Sequence, residues 1–347
     1  MMKISILGTG RWASCIAYYL SAVKHYDVMM WERDNDYQGG DSPLFATHKN
    51  EYVTLPSSVK MTHNIVEALD HGDVIIISIV SQAVGNLMER IKKEYGEGFE
   101  DKRYCLCMKG LNRETGARLS QTLREAGVHR VNIAVFVGPG HVQSISRGEP
   151  TNMIISSYSS QFAEYLQENF QSEQITIATS SDILGVEVCA AAKNVYGIAA
   201  GILEASGLGI QKGPLMVAAI HEMADLIDAL GGKRSTASGL ALVGDFEATL
   251  FNNNSNNLTY GKTIIRDNTH APSNMKTAEG VAATKALLKL RDKYNAHASD
   301  RQKIKLHIVH ALNKILDGKV PLDQAGQLLN KAISEVVMNS TSRYISY

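Results

Sequence analysis

Cysteine is scarce: there are four in 347 residues, Cys15, Cys105, Cys107 and Cys189, mostly inside apolar segments. Neither a disulfide framework nor metal-ligand spacing can be assembled from them. They read as small core residues in a reducing compartment, and no metal is expected. Neither sign of charge is in excess, since 35 Lys+Arg balance 35 Asp+Glu. That balance speaks against nucleic acid as a partner and, with no polybasic run, against an anionic membrane surface. No apolar run reads as long enough to cross a bilayer. The N-terminus passes directly into Lys3-Ile4-Ser5-Ile6-Leu7 without a cleavage site, so a cytoplasmic protein is expected. Internal repeats are absent, and the length suits two domains of ordinary size.

What is present begins with a short β-branched run, residues 3–7, ending at Gly8-Thr9-Gly10-Arg11-Trp12-Ala13. A helix-like segment over 14–23 and a second strand over 27–31 complete a βαβ unit with Gly-x-Gly-x-x-Ala at its first turn. Gly8 permits the tight turn, Gly10 lets a pyrophosphate approach the backbone, and the helix N-terminus offers free N–H donors. About 20 residues on, where the fingerprint requires charge, stand Glu32-Arg33-Asp34. An acid there binds ribose hydroxyls and repels the 2′-phosphate of NADP, whereas Arg33 could stack on adenine or hold that phosphate. The cofactor is therefore NAD or NADP, with the balance towards NAD. Further strands are predicted over 74–79, 104–108, 131–137, 152–156 and 174–178, and Ser81-Gln82 opens a helix. Ligands of doubly wound sheets lie outside the carboxyl ends of the strands. Lys109-Gly110 and Gly138-Pro139-Gly140-His141 stand at two such ends. Lys109 reads equally as a solvated loop lysine, the Gly-Pro-Gly turn as a simple chain reversal, and His141 as a hydrogen-bonded structural histidine.

Beyond about residue 180 the strand signal stops, and helices are predicted over 182–204, 213–231, 274–292, 301–317 and 322–336. The sequence thus predicts an α/β chain, with a doubly wound Rossmann-type dinucleotide-binding domain over 1–181 and an all-helical substrate-binding and catalytic domain over 182–347. The first helix of the second half, with Asp182 as its N-cap, is almost wholly small or apolar, yet it carries Lys193-Asn194. Desolvation lowers a lysine pKa by up to ~3–5 units when burial is full, which would fit Lys193 for acid–base work. Most helical lysines instead extend to water. Asp245, after an apolar stretch, is a helix cap or a pocket carboxylate. The asparagine-rich residues 252–257 are an exposed turn cluster or a polar lining.

Together these motifs resemble the NAD(P)-dependent glycerol-3-phosphate dehydrogenases along almost the whole chain. The resemblance is carried by Gly8, Gly10 and Trp12; Trp31 and Arg33; Ser81-Gln82; Lys109-Gly110; and Gly138-Pro139-Gly140. It continues through Asp182 with Gly185-Val186-Glu187, Lys193-Asn194-Val195, Gly244-Asp245 with Thr249, Ser255 with Asn257, and Glu279-Gly280. It implies hydride transfer between a nicotinamide and C2 of a glycerol-3-phosphate or dihydroxyacetone phosphate-like substrate. Lys193 would exchange the proton with the C2 oxygen, and Lys109 and Asp245 would tune it. Gly138, Gly140, Asn194, Thr249, Ser255, Asn256 and Asn257 would bind substrate. Gly8, Gly10, Arg11, Trp12, Arg33, Lys109, Val142, Asn256, Thr277 and Glu279 occupy cofactor positions, and a homodimer is expected.

The chain departs from the family at the phosphate end. Asn256 stands where the phosphate-clamp arginine belongs, which removes a permanently charged bidentate donor. Leu258 replaces a residue that is often basic, Ala218-Ala219 an Arg-Gly pair, Ile210 an asparagine and Glu32 a glycine. Either Arg266, Lys262 or Lys212 compensates, or the far end of the substrate is not a simple phosphate. The alternatives are a related dehydrogenase acting on another 2-keto or 2-hydroxy compound, and a catalytically idle dinucleotide sensor.

Overall fold

A computed structural model describes residues 1–33, 53–272 and 278–342. Asp34 and Thr277 lie outside the described residues. The chain forms two compact units, Met1–Met108 with Leu119–Ile183, and Lys109–Arg118 with Leu184–Tyr347.

The first unit is built on one sheet of eight strands: β1 (Lys3–Leu7), β2 (Asp27–Trp31), β3 (Lys60–Thr62), β4 (Val74–Ile77), β5 (Tyr104–Leu106), β6 (Ile133–Val137), β7 (Thr151–Ser157) and β8 (Ile175–Ser180). Their order is β3-β2-β1-β4-β5-β6-β7-β8, parallel except where β7 runs against β6. Order reverses between β1 and β4, the switch point at which doubly wound sheets bind ligands. Val74 to Ile77 are all 0 % exposed, as a strand covered on both faces requires. Its helices are α1 (Arg11–Tyr18), α2 (Ile65–His71), α3 (Val84–Glu94), α4 (Leu119–Ala126), α5 (Val142–Ser146) and α6 (Ser160–Phe170). Two start where Asn64 and Ser159 cap first-turn N–H groups.

Several elements differ from the sequence expectation. The helix expected over 14–23 starts at Arg11 and finishes as a π-turn, Tyr19–Val23. There the Tyr19 hydroxyl donates to the Phe170 carbonyl at 2.6 Å. β3 was not foreseen, because three residues are too few to show an alternating pattern.

The second unit is helical: α7 (Ile183–Ala205), α8 (Lys212–Ala229), α9 (Asn256–Arg266), α10 (Glu279–Asn295), α11 (His307–Leu316) and α12 (Ala325–Ser342). Helix α7 corrects the reading that no apolar run could span a bilayer. At 23 residues it is long and apolar enough by length and composition, the one such helix among the described residues, and 89 % of its apolar window is buried inside the protein. The asparagine-rich segment bears out the exposed-turn reading at Asn253 and Asn254, after which Ser255 accepts from the Leu258 N–H and starts α9, with Asn257 buried. Contact with α7 holds it: a Cβ on Gly201 would lie 2.1 Å from the Leu258 carbonyl oxygen, and one on Gly261 2.1 Å from that of Ile198. Two facing glycines let the backbones touch, which brings polar side chains of α9 within reach of those on α7.

Candidate functional site

In the first unit, Gly8 adopts φ +124°, and a Cβ there would lie 2.3 Å from the Ser78 carbonyl oxygen. Only glycine fits. Gly10 precedes α1 with φ −67° and ψ 172°, and nothing lies within 4 Å of where its Cβ would be. That open backbone, at the N-terminal end of α1, is a cradle for a pyrophosphate. The Trp12 indole Nε1 is buried without a partner. Gly140 lies against the Trp12 ring, which a Cβ would approach to 2.6 Å; this explains a glycine where the family has serine. Gly138 holds φ +133° at the same turn, and Val142 begins α5 and packs on the core. At the end of β2, Glu32 is 5 % exposed and accepts from the Thr9 hydroxyl at 2.9 Å, tying the β2 end to the glycine turn. Arg33 is exposed. These residues fit a dinucleotide.

In the second unit, three of the sequence-predicted residues meet around one carboxylate. Asp245 Oδ1 accepts from Lys193 Nζ at 3.0 Å, and Oδ2 from Lys109 Nζ at 2.6 Å. The side chains are 11 %, 17 % and 2 % exposed for Lys193, Lys109 and Asp245. A π-helical turn, Glu247–Phe251, follows Asp245 and brings back Thr249, whose hydroxyl accepts from Lys193 Nζ at 3.0 Å and donates to the Asp245 carbonyl at 2.7 Å.

Burial pushes the Lys193 ammonium down to about 8; Asp245 opposes the shift, and the like charge of Lys109 adds to it. Burial by itself raises the Asp245 carboxyl, yet the two ammoniums hold it below its ordinary value. Asp245 therefore stays ionised, while Lys193 changes charge near neutral pH.

A frame of amides surrounds this centre. Asn194 donates to the Lys109 carbonyl at 3.3 Å and to Glu279 Oε2 at 3.1 Å, and its oxygen accepts from Asn257 at 3.0 Å. Asn257 in turn accepts from the Gly280 N–H at 3.0 Å. Burial raises the Glu279 carboxyl, against the pull of Lys193 and Lys109. Ser255 and Asn256 form the cap and first residue of α9.

The cations considered as replacements for the missing arginine lie elsewhere. Lys212 and Lys262 both pair with Glu204. Glu204 is eleven residues beyond Lys193 on α7, about 16 Å at 1.5 Å per residue. Arg266 is exposed and paired with Asp267 at the far end of α9.

Sequence reading missed Glu222, which is 2 % exposed, accepts from the Tyr196 hydroxyl at 3.0 Å and from the Ile308 N–H at 2.9 Å, and so caps α11 from another helix. The available signals were a glutamate at an apolar helix position and the Glu222-Met223 pair, which the resemblance matches without giving it a role.

Comparisons with known proteins give the family. The profile of the NAD-dependent glycerol-3-phosphate dehydrogenase N-terminus matches residues 3–163, and that of the C-terminus residues 182–327. The chain is 31 % identical over 334 residues to a glycerol-3-phosphate dehydrogenase [NAD(P)+] of Chlorobium phaeobacteroides (strain BS1), covering 93 % of this chain and 96 % of the relative. It is likewise 31 % identical over 335 residues to the enzyme of that name from Chlorobium limicola, with coverage of 93 % and 96 %. The crystal structure of glycerol-3-phosphate dehydrogenase from Coxiella burnetii superposes with a TM-score of 0.79 at 25 % identity, over 94 % of this chain and 98 % of that one. Its sheet, its helical second half and its sequence alike show that this chain belongs to the NAD(P)-dependent glycerol-3-phosphate dehydrogenase family of oxidoreductases.

Proposed function

We propose that the protein transfers a hydride between a nicotinamide cofactor and C2 of glycerol 3-phosphate or dihydroxyacetone phosphate, with Lys193 exchanging the accompanying proton. The observation that carries this is Lys193 itself, a buried ammonium held by Asp245 and Thr249 and titrating near 8. In the reductive direction the Lys193 ammonium gives its proton to the C2 oxygen as hydride reaches C2; in the oxidative direction neutral Lys193 takes it back. Asp245 keeps that amine from losing its proton altogether at neutral pH, and Lys109 keeps its pKa from rising. A bound NAD(P) supplies the hydride acceptor or donor. Gly8, Gly10, Arg11, Trp12, Arg33 and Val142 hold it in this reading, and Lys109, Asn256, Thr277 and Glu279 are the further cofactor positions that the family resemblance implies. Glu32 favours NAD. Gly138, Gly140, Asn194, Thr249, Ser255, Asn256 and Asn257 are the substrate-binding residues of this reading, with residues 182–347 as the substrate domain. The enzyme is taken as a cytoplasmic homodimer on the family resemblance, and sedimentation of the purified chain tests the dimer.

The test is turnover of dihydroxyacetone phosphate with NADH and NADPH, followed by loss of reduced-nicotinamide absorbance. Lys193→Ala abolishes turnover while cofactor binding persists; an inactive parent sinks the reading.

A second reading is favoured by Asn256 and by the engagement of Lys212 and Lys262 with Glu204: the same reaction on a ketone whose far end is not a phosphate. Loss of one charged hydrogen bond is worth ~2–3 kcal/mol, on the order of tenfold to a hundredfold in binding. Asn256→Arg then raises kcat/KM for dihydroxyacetone phosphate by about that factor. No gain, with the parent already turning it over efficiently, removes this second reading.

A further inference from the structure

We infer that Arg118, through its ion pair with Glu187, is a positioning residue that fixes where the Lys109 ammonium stands against Asp245. The inference deepens the proposed function and rests on it. Lys109 opens a short hairpin, Lys109–Arg118, that belongs to the helical unit. Leu111 and Arg118 form its antiparallel bridge, and the Asn112 N–H donates to the Ala117 carbonyl at 2.9 Å. Inside it the Asn112 side chain accepts from the Glu114 and Thr115 N–H groups, both at 2.9 Å. The turn is rigid by construction, and its position depends on what grips its arms.

Helix α7 grips both. Asn194 donates to the Lys109 carbonyl on the outgoing arm. Glu187, on the same helix about 9 Å before Lys193 at 1.5 Å per residue, accepts from Arg118 Nη1 on the returning arm at 2.9 Å. The tip rests on α10, where Gly116, at φ +69°, leaves no room for a Cβ, which would lie 2.8 Å from the Leu290 nitrogen. Lys289 closes over it onto the Glu114 carbonyl at 2.7 Å. The Arg118 and Glu187 side chains are only 12 % and 4 % exposed. An ion pair this buried recovers little over an apolar pair of the same size, and its best-attested use is to fix register. Here the register that matters is that of Lys109, because Asp245 divides its two oxygens between the ammoniums of Lys109 and Lys193. If the hairpin slips, Lys109 leaves Asp245, Lys193 keeps the carboxylate to itself, and a like charge departs from its side.

The test replaces both partners, Arg118→Met with Glu187→Met, so that no orphaned charge remains to unfold the protein, beside the conservative Arg118→Lys. In the double variant kcat falls about tenfold or more, as small misplacements of a reacting group do. In reduction of dihydroxyacetone phosphate the alkaline limb, which reports Lys193, moves up by about one pH unit, because a like-charge neighbour has been lost. Arg118→Lys keeps the parent midpoint. A folded double variant with unchanged kcat and midpoint overturns the proposal. Competitive acetylation of Lys193 against pH, read by mass spectrometry, gives the same midpoint without turnover. An inactive parent whose Lys193 midpoint still shifts in the double variant counts against the proposed function and for the positioning role, whereas an unmoved midpoint sinks the positioning role.

Discussion

Replacing Asp245 by asparagine keeps the shape of the centre and deletes its negative charge. Lys193 Nζ lies 3.0 Å from one Asp245 oxygen, and opposite charges about 4 Å apart attract by about 4 kcal/mol at an effective dielectric of 20. One pKa unit corresponds to about 1.4 kcal/mol, so this attraction is worth up to about 3 units. Relaxation and water entry reduce it, and a fall of Lys193 from about 8 to between about 5 and 6 is expected. At pH 7 the protonated fraction then drops from about nine-tenths to a few per cent. Reduction of dihydroxyacetone phosphate, which needs the ammonium, loses about 10- to 100-fold in kcat/KM at pH 7 and recovers as the pH is lowered. The assay is the pH dependence of kcat/KM in both directions for the parent and Asp245→Asn. A reductive profile whose midpoint stays in place or moves to higher pH refutes the assignment of Lys193 as the proton-exchanging group.

Two further outcomes follow from the same physical picture. Burial raises the Glu222 carboxyl from 4.5 to about 7, against the stabilising Ile308 N–H and Tyr196 hydroxyl. The native state therefore binds this proton more tightly than the unfolded chain, so the stability it contributes is full below pH 4.5 and is lost as pH rises through about 7, amounting to up to about 3 kcal/mol. Urea unfolding between pH 4.5 and 7.5 measures it, and Glu222→Gln should flatten that dependence; an equal slope in the variant contradicts the account. At the cofactor end, Glu32→Ser removes the carboxylate tied to Thr9 and is expected to raise affinity for NADPH relative to NADH by about tenfold, the worth of one relieved like-charge contact. Fluorescence titration with both reduced cofactors reads this without turnover, and a parent that already prefers NADPH contradicts the role given to Glu32.

Local order in the chain was enough to read the two-part organisation. The β-branched run into Gly8-Thr9-Gly10, the buried run Val74–Ile77 and the apolar helix carrying Lys193 each obey a short-range pattern, and each stands in the structure as an element. Residue type left Lys109, Lys193 and Asp245 as open candidates, and the family resemblance grouped them. Their meeting was not legible, because 136 residues separate Lys109 from Asp245 and no local rule spans that distance. Only tertiary packing decided that the Lys109 hairpin joins the helical unit, that facing glycines at 201 and 261 bring α9 onto α7, and that Asn257 therefore reaches Asn194. The same packing ties Lys212 and Lys262 to Glu204, well along α7 from Lys193. Sequence determined which groups are present and which backbone each stretch adopts, since propensity and periodicity act over a few residues. The shared carboxylate and the lysine titrating near 8 arise only when distant segments exclude water together, because burial and charge proximity are properties of the packed fold.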